Sequence, residues 1–227
     1  MSKTSLNIDG SLLDISRPIV MGIINLTADS FYDGGKIKTD RDLVMKAEKM
    51  LAEGATILDV GAYSTRPGAA DISMQIESQN AVNGIQSILK EFPEAIISVD
   101  TFRSEVGKKA IENGASIIND VSGGNLDSKM FDTVASLNVP YIMMHMRGNP
   151  QTMSQLTQYD NLISEIIDYF NHKIKLLNNK GVSDVIVDPG FGFAKTLQQN
   201  FQLLNGLDLL SILESPILCG VSRKSMI

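Results

Sequence analysis

Cysteine occurs once in these 227 residues, tryptophan not at all, and histidine twice. A lone thiol, Cys219, excludes an internal disulfide framework and any Cys-based zinc site, and it fits a reducing, cytoplasmic setting. His145 and His172 fall in different predicted elements, so no histidine pair is available to hold a metal. A serine hydrolase would need a G-x-S-x-G elbow, and the chain has none. Basic charge is scarce as well: 20 Lys and Arg face 26 Asp and Glu, a net charge of −6, so a general nucleic-acid-binding face is not expected. No apolar run approaches membrane-spanning length, and the first ten residues lack the apolar stretch of a secretory signal. Linkers, low-complexity tracts and charge runs are missing too, which leaves a single domain over 1–227 as the expectation.

What is present is a repeated unit. Val185-Ile-Val-Asp188 is a short β-branched run ending in a carboxylate. It is followed by Pro189-Gly190 and a glycine-rich turn that delivers Phe193 and Lys195. The same layout recurs at Ile96–Asp100, Ala115–Asp120, Ile57–Gly61 and Val20–Asn25. Strands are predicted near 19–25, 56–61, 96–100, 116–119, 140–144, 185–188 and 216–221. Helical patterns fall between them near 40–53, 71–91, 103–113, 128–137, 160–179 and 197–213. In the helix at 160–179, Leu162, Ile163, Ile166, Ile167, Phe170, Ile174 and Leu177 mark one apolar face. Residues 1–17 read as a β-hairpin turning at Asp9-Gly10, a plug for one end of the fold.

Alternating strands and helices imply a parallel sheet with right-handed crossovers, either open and doubly wound or closed as a (β/α)8 barrel. Polar residues at so many strand ends favour the α/β TIM barrel, because there every strand end faces one mouth. Seven strands are counted, and the residues run out at Ser222-Arg-Lys-Ser-Met-Ile227, so the eighth strand and last helices are expected to be absent from this chain.

Several segments could carry chemistry. The loop Asn25–Gly35 is long and mixes metal-capable oxygens (Asn25, Asp29, Asp33) with aromatic residues and glycines, which suits a lid. In Ala62–Gly68, Arg66 beside Pro67-Gly68 offers a guanidinium clamp. Asp100, Asn119 and Asp188 are acceptors at strand ends. A flat heterocycle bearing several N–H donors would satisfy them, as would Lys224. Met143, Met144 and Met146 surround His145, and methionine sulfur suits packing on an aromatic ligand. His145 itself reads as a structural residue. Ser222-Arg-Lys-Ser225 places hydroxyls, N–H groups and a cation where an anion can bind.

Taken together the chain resembles the dihydropteroate synthase family of pterin-binding TIM barrels. The matching motifs are Met21–Gly35, Ser64–Gly68, Ser98–Thr101, Ile118–Asp120, Met144–Pro150, Asp188–Phe193 and Ser222–Ser225, in family order. The resemblance implies condensation of 6-hydroxymethyl-7,8-dihydropterin diphosphate with 4-aminobenzoate, giving dihydropteroate and diphosphate with Mg2+. By motif, it implies that Asp100, Asn119, Asp188 and Lys224 hold the pterin and that Met144 packs on it, while Asn25 serves the Mg2+–diphosphate. Thr65, Arg66 and Pro67, with Phe31 and Asp33, would shape the 4-aminobenzoate side, and Phe193, Lys224 and Ser225 would line it. Asp100, Lys224 and Arg66 are the implied catalytic groups. The family further implies a homodimer and a sulfonamide target. Ala28 stands where the family has proline, and the family's eighth-strand Ser-x-Arg-x-His motif is absent from these residues. Two other readings share the pterin pocket: a methyltetrahydrofolate methyltransferase domain and a non-catalytic pterin-binding protein.

Overall fold

The computed structural model describes residues 3–26, 40–64, 71–149, 151–222, 224 and 226. The chain opens with an antiparallel hairpin, β1 (Ser5–Ile8) and β2 (Ser11–Asp14). Its two turn residues, Asp9 at φ 50° and Gly10 at φ 87°, are both left-handed, as a type I′ connection requires. The Asn7 side-chain carbonyl accepts from the Gly10 N–H at 2.9 Å.

Six parallel strands follow: β3 (Val20–Asn25), β4 (Ala55–Gly61), β5 (Ile96–Asp100), β6 (Ile117–Asp120), β7 (Tyr141–Met144) and β8 (Val185–Asp188). They lie side by side in chain order. A doubly wound sheet reverses its order at a switch point, and this one does not, so the barrel is the architecture adopted. The crossovers are α1 (Asp40–Ala52), α2 (Met74–Glu91), α3 (Ser104–Glu112), α4 (Met130–Leu137) and α5 (Leu162–Asn179), and α6 (Leu197–Asn205) follows β8. Caps form where sequence chemistry supplies them: Asn161 accepts from the Ser164 N–H, and Thr196 with Gln199 forms a capping box.

Two expected elements differ. The strand expected at 216–221 is reduced to one parallel bridge between Val187 and Ile217, framed by backbone bonds of 2.9 Å to Pro216 and from Leu218. Pro216 has no N–H to extend that ladder. The helix expected over 197–213 breaks at Gly206 and continues as a 3-10 turn, Leu207–Leu213. A side chain at Gly206 would lie 2.7 Å from Ile163 Cδ1, so the break sits where α5 comes close.

Strand periodicity of two sorts the side chains. Leu58, Val60, Ile97, Val99, Ile118, Tyr141, Met143, Val185 and Val187 join the helix faces in the outer core, where α5 adds Leu162, Ile166, Phe170 and Leu177. Ile57, Ile117, Ile142 and Ile186 form a second cluster with Leu6 and Ile8 of the hairpin. These isoleucines come from the early part of each strand, so they floor the barrel. Burying each hairpin side chain there is worth roughly 1.5–3 kcal/mol. Polar ties hold the hairpin down: the Ser116 hydroxyl donates to Asp9 at 2.6 Å, the Asn7 N–H donates to Asp184 at 3.0 Å, and Lys3 pairs with Asp184. Two residues beyond each floor isoleucine stand Asp59, Asn119, Met144 and Asp188. The alternation that hides the isoleucines therefore lifts these groups toward the mouth.

Candidate active site at the strand ends

Asp100 and Asn119 are register partners on β5 and β6, and Gly61 is the partner of Asp100 on β4. A methyl group at Gly61 would lie 3.2 Å from Asp100 Oδ2, so the glycine leaves that carboxylate its room. Asn119 is fixed from below, its Nδ2 donating to Asp59 Oδ2 at 3.0 Å. That bond leaves the amide carbonyl of Asn119 as an acceptor for a ligand. Asp59, 3% exposed, has its carboxyl raised to about 6, chiefly by burial, with Ser98 and Asn119 opposing the shift. Among the described residues, Asp59 Oδ1 and Ser98 Oγ are buried without a hydrogen-bond partner of ordinary length.

Asp100 keeps part of its surface open at the mouth. Its carboxyl is nonetheless raised well above the usual range, first by desolvation and then by the like charges of Asp59, Asp120 and Glu77. Across the barrel, Asp188 Oδ1 accepts from the Gly190 N–H at 2.8 Å. Burial lifts its carboxyl to about 6, while that hydrogen bond, Lys224 and Lys195 pull it down. Lys224 in turn is lowered by burial and held up by Asp188. Its ammonium sits 4.3 Å from the centroid of the Phe193 ring, a cation–π contact. Met144 is buried with Met146, Met153, Val121 and Ala194, and Phe102 and Phe193 are partly buried against them, giving one wall of soft, polarizable surface. Asn25 ends β3, partly buried and in register with Gly61.

The structure therefore gathers Asp100 with Asn119, and Asp188 with Lys224 and Phe193, above one apolar floor. Phe31, Asp33, Thr65, Arg66, Pro67 and Ser225 lie outside the described residues. Asp59 and Lys195 belong to the same cluster, and sequence reasoning did not assign them to the site. The signal for Asp59 was its place two residues past Ile57. Asp120 points the other way. It is fully buried and accepts from the Ser122 N–H at 2.7 Å, the Gly124 N–H at 2.8 Å and the Tyr141 hydroxyl at 2.7 Å, holding the β6–α4 turn. His145, also buried, is part of the structure rather than the mouth, and burial with nearby cations lowers it to about 2. A separate open cavity of about 440 Å³ is lined by Asn125, Arg147, Glu165, Asp168 and Tyr169 among others, and by none of the strand-end acids. Among the described residues no cluster of three or more His, Cys, Asp or Glu could hold a metal, and no helix is long and apolar enough to cross a membrane.

Clustered acceptors with a raised proton affinity, the cations Lys224 and Lys195 and a methionine wall suit a flat, N–H-rich heterocycle that gains positive charge. Comparison with known proteins agrees. The family model described as "Pterin binding enzyme" matches residues 21–227. A dihydropteroate synthase from Synechocystis is 43% identical over 213 residues, covering 93% of this chain and 73% of the relative. The Yersinia pestis dihydropteroate synthase, solved in a sulfonamide drug complex, superposes with a TM-score of 0.92 at 39% identity, over 98% of this chain and 81% of that one. The Xanthomonas albilineans dihydropteroate synthase with 4-aminobenzoic acid gives 0.88 at 36% identity, over 100% of this chain and 80% of that one. Matched along nearly its whole length in sequence and in fold, the chain belongs to the pterin-binding enzyme family.

Proposed function

We propose that this chain is a dihydropteroate synthase, joining 6-hydroxymethyl-7,8-dihydropterin diphosphate to 4-aminobenzoate to give 7,8-dihydropteroate and diphosphate in folate biosynthesis. The observation that carries the reading is the ring of acceptors Asp100, Asn119 and Asp188 over the isoleucine floor, with Met144 and Lys224 beside them. Asn119, its amide turned by Asp59, and Asp188 accept from the pterin N–H groups. Met144 packs on the ring face. When the carbon–oxygen bond to diphosphate lengthens, positive charge grows on the pterin methylene, and Asp100, free of any adjacent cation among the described residues, stabilises it. The arylamine then attacks from the side of Phe193 and Lys224, so positioning and charge do the work rather than a strong base.

Mg2+ fits as an ion carried mainly by diphosphate oxygens. Asn25 offers one hard oxygen at a strand end, and the described residues build no cage of their own. Bound there, it would neutralise the leaving diphosphate. Phe31, Asp33, Thr65, Arg66, Pro67 and Ser225 complete the arylamine side in this reading, on family motif alone. The hairpin over 1–17 serves as the barrel plug, supported by the packing of Leu6 and Ile8 on the floor. A cytoplasmic homodimer belongs to the same reading. Support for the dimer comes from Leu197, Phe201 and Leu204, about half exposed along one face of α6.

Binding tests the proposal. The dihydropterin diphosphate should bind the wild type, and Asp188→Ala or Asn119→Ala should weaken it at least tenfold, about 1.4 kcal/mol. Unchanged affinity in both variants would contradict the assignment. A methyltransferase domain would instead consume methyltetrahydrofolate, and a non-catalytic binder would hold the pterin without forming product.

A further inference from the structure

The loop that follows β8 curls sharply. Gly190 at φ 71°, Gly192 at φ 81° and Ala194 at φ 50° all take the left-handed conformation, and the alanine does so at a cost. The curl aims two carbonyl oxygens at one point, and the Lys195 ammonium occupies it. Its Nζ lies 3.0 Å from Gly190 O, 3.0 Å from Phe193 O and 3.1 Å from His145 Nδ1. Burial lowers Lys195 to about 7 while Asp188 holds it up, and in its charged form its three N–H donors meet these three acceptors. The third acceptor requires His145 to be neutral with its proton on Nε2. The burial and neighbouring cations that lower His145 secure that state.

Lys195 is only 8% exposed, and no carboxylate among the described residues pairs with it directly. A buried cation without a direct counter-ion is costly, so its retention needs a reason beyond filling space. Its partners supply one. His145 belongs to the segment that ends β7, whose backbone N–H donates to Asp188 O at 2.8 Å. Gly190 is pressed against the same segment: a methyl there would lie 2.2 Å from His145 O. One ammonium thus ties the Met144 side of the mouth to the loop bearing Phe193. The rest of that loop is braced too, by the Tyr159 hydroxyl donating to Ala194 O at 2.9 Å and the Gly192 N–H donating to Asn200 Oδ1 at 2.7 Å. Between these braces the Phe193 ring is presented to Lys224.

We propose that Lys195 is a positioning residue for the arylamine, its ammonium fastening the Gly190–Lys195 loop so that Phe193 stays preformed at the edge of the site. The proposal rests on the reading that Phe193 borders the 4-aminobenzoate position. It acts through Phe193 and touches no reacting atom.

The test uses the full chain with Lys195→Met, which keeps the apolar stem and removes all three donors, and Lys195→Arg, which keeps charge and donors. Lys195→Met should raise KM for 4-aminobenzoate about tenfold while kcat changes less than about twofold, and KM for the pterin diphosphate should rise by a smaller factor, because the lost cation also lets the Asp188 carboxyl take up a proton more readily. Lys195→Arg should recover part of that KM. Hydrogen exchange of amides in 190–196 should quicken by about tenfold in Lys195→Met, with the other strand-end segments unchanged. An unaltered KM for 4-aminobenzoate, or a fall in kcat with both KM values unchanged, would overturn the proposal. If the wild type forms no dihydropteroate the functional reading fails separately, and exchange alone then judges the clamp: equal rates in wild type and Lys195→Met would refute it. Should Lys195→Met not fold, Lys195→Arg decides: faster exchange over 190–196 with a rise mainly in KM for 4-aminobenzoate upholds the clamp, and a similar rise in every KM, or a raised KM without faster exchange, refutes it.

Discussion

Replacing Asp100 by asparagine should move activity and stability in opposite directions. Burial disfavours the charge on this carboxyl most, and the like charges of Asp59, Asp120 and Glu77 disfavour it further. An acid whose folded-state pKa is raised above its unfolded value destabilises the fold once it ionises. Its contribution to stability therefore falls as pH rises through the folded pKa, and recovers as pH drops back. Asparagine has the same shape without the charge, so Asp100→Asn should unfold at a higher denaturant concentration than the wild type at neutral pH. Catalysis should suffer. If Asp100 stabilises a developing pterin cation, removing its charge should cost roughly 2–3 kcal/mol of transition-state stabilisation, the scale of one preorganised electrostatic partner. At 1.36 kcal/mol per decade that is about a 30- to 150-fold loss in kcat/KM. The assay is steady-state formation of dihydropteroate, with urea unfolding on the same preparations. Near-wild-type kcat/KM would refute the role given to Asp100. A loss of activity matched by a loss of stability would show a merely structural residue.

Other perturbations follow from the same geometry. Gly190→Ala would drive a methyl to 2.2 Å from His145 O at a φ of 71°, so a destabilisation of roughly 2–4 kcal/mol is expected in urea titrations. Leu6→Ala should cost roughly 2–4 kcal/mol by emptying the hairpin's contact with Ile57, Ile117, Ile142 and Ile186, again read by denaturant midpoint. With the Asp188 carboxyl raised to about 6, pterin affinity should weaken as pH falls through that value and the acceptor is protonated. Calorimetry of wild type against Asp188→Asn from about pH 5 to about pH 7, roughly one unit either side of that value, checks this, and a flat wild-type profile would argue against Asp188 as a charged acceptor.

Much of this was legible before the structure. The apolar runs ending at Asp100, Asn119 and Asp188 became strand ends because β-branched residues buried on both faces make parallel strands. The hairpin at Asp9-Gly10 followed from turn chemistry alone. What escaped the sequence depended on orientation and on long-range contact. Asn119 and Asp120 are neighbours in sequence, yet one faces the mouth and the other props a turn, a difference set by strand phase. Asp59 gained its part only because β4 and β6 bring its carboxylate to the Asn119 amide. The glycine-rich turn delivers Lys195, but its partners were not legible, because two of them are carbonyls that the left-handed residues fold back onto it. Gly206 gave no helix-stop signal strong enough to outweigh the leucine pattern around it; its role is set by Ile163 on another helix.

The most direct test of the central claim is incorporation of labelled 4-aminobenzoate into 7,8-dihydropteroate by this chain, supplied with the dihydropterin diphosphate and Mg2+. Labelled product and stoichiometric diphosphate are expected, both strongly reduced in Asp100→Asn. Pterin binding with no labelled product, or product formation indifferent to Asp100, would contradict that claim.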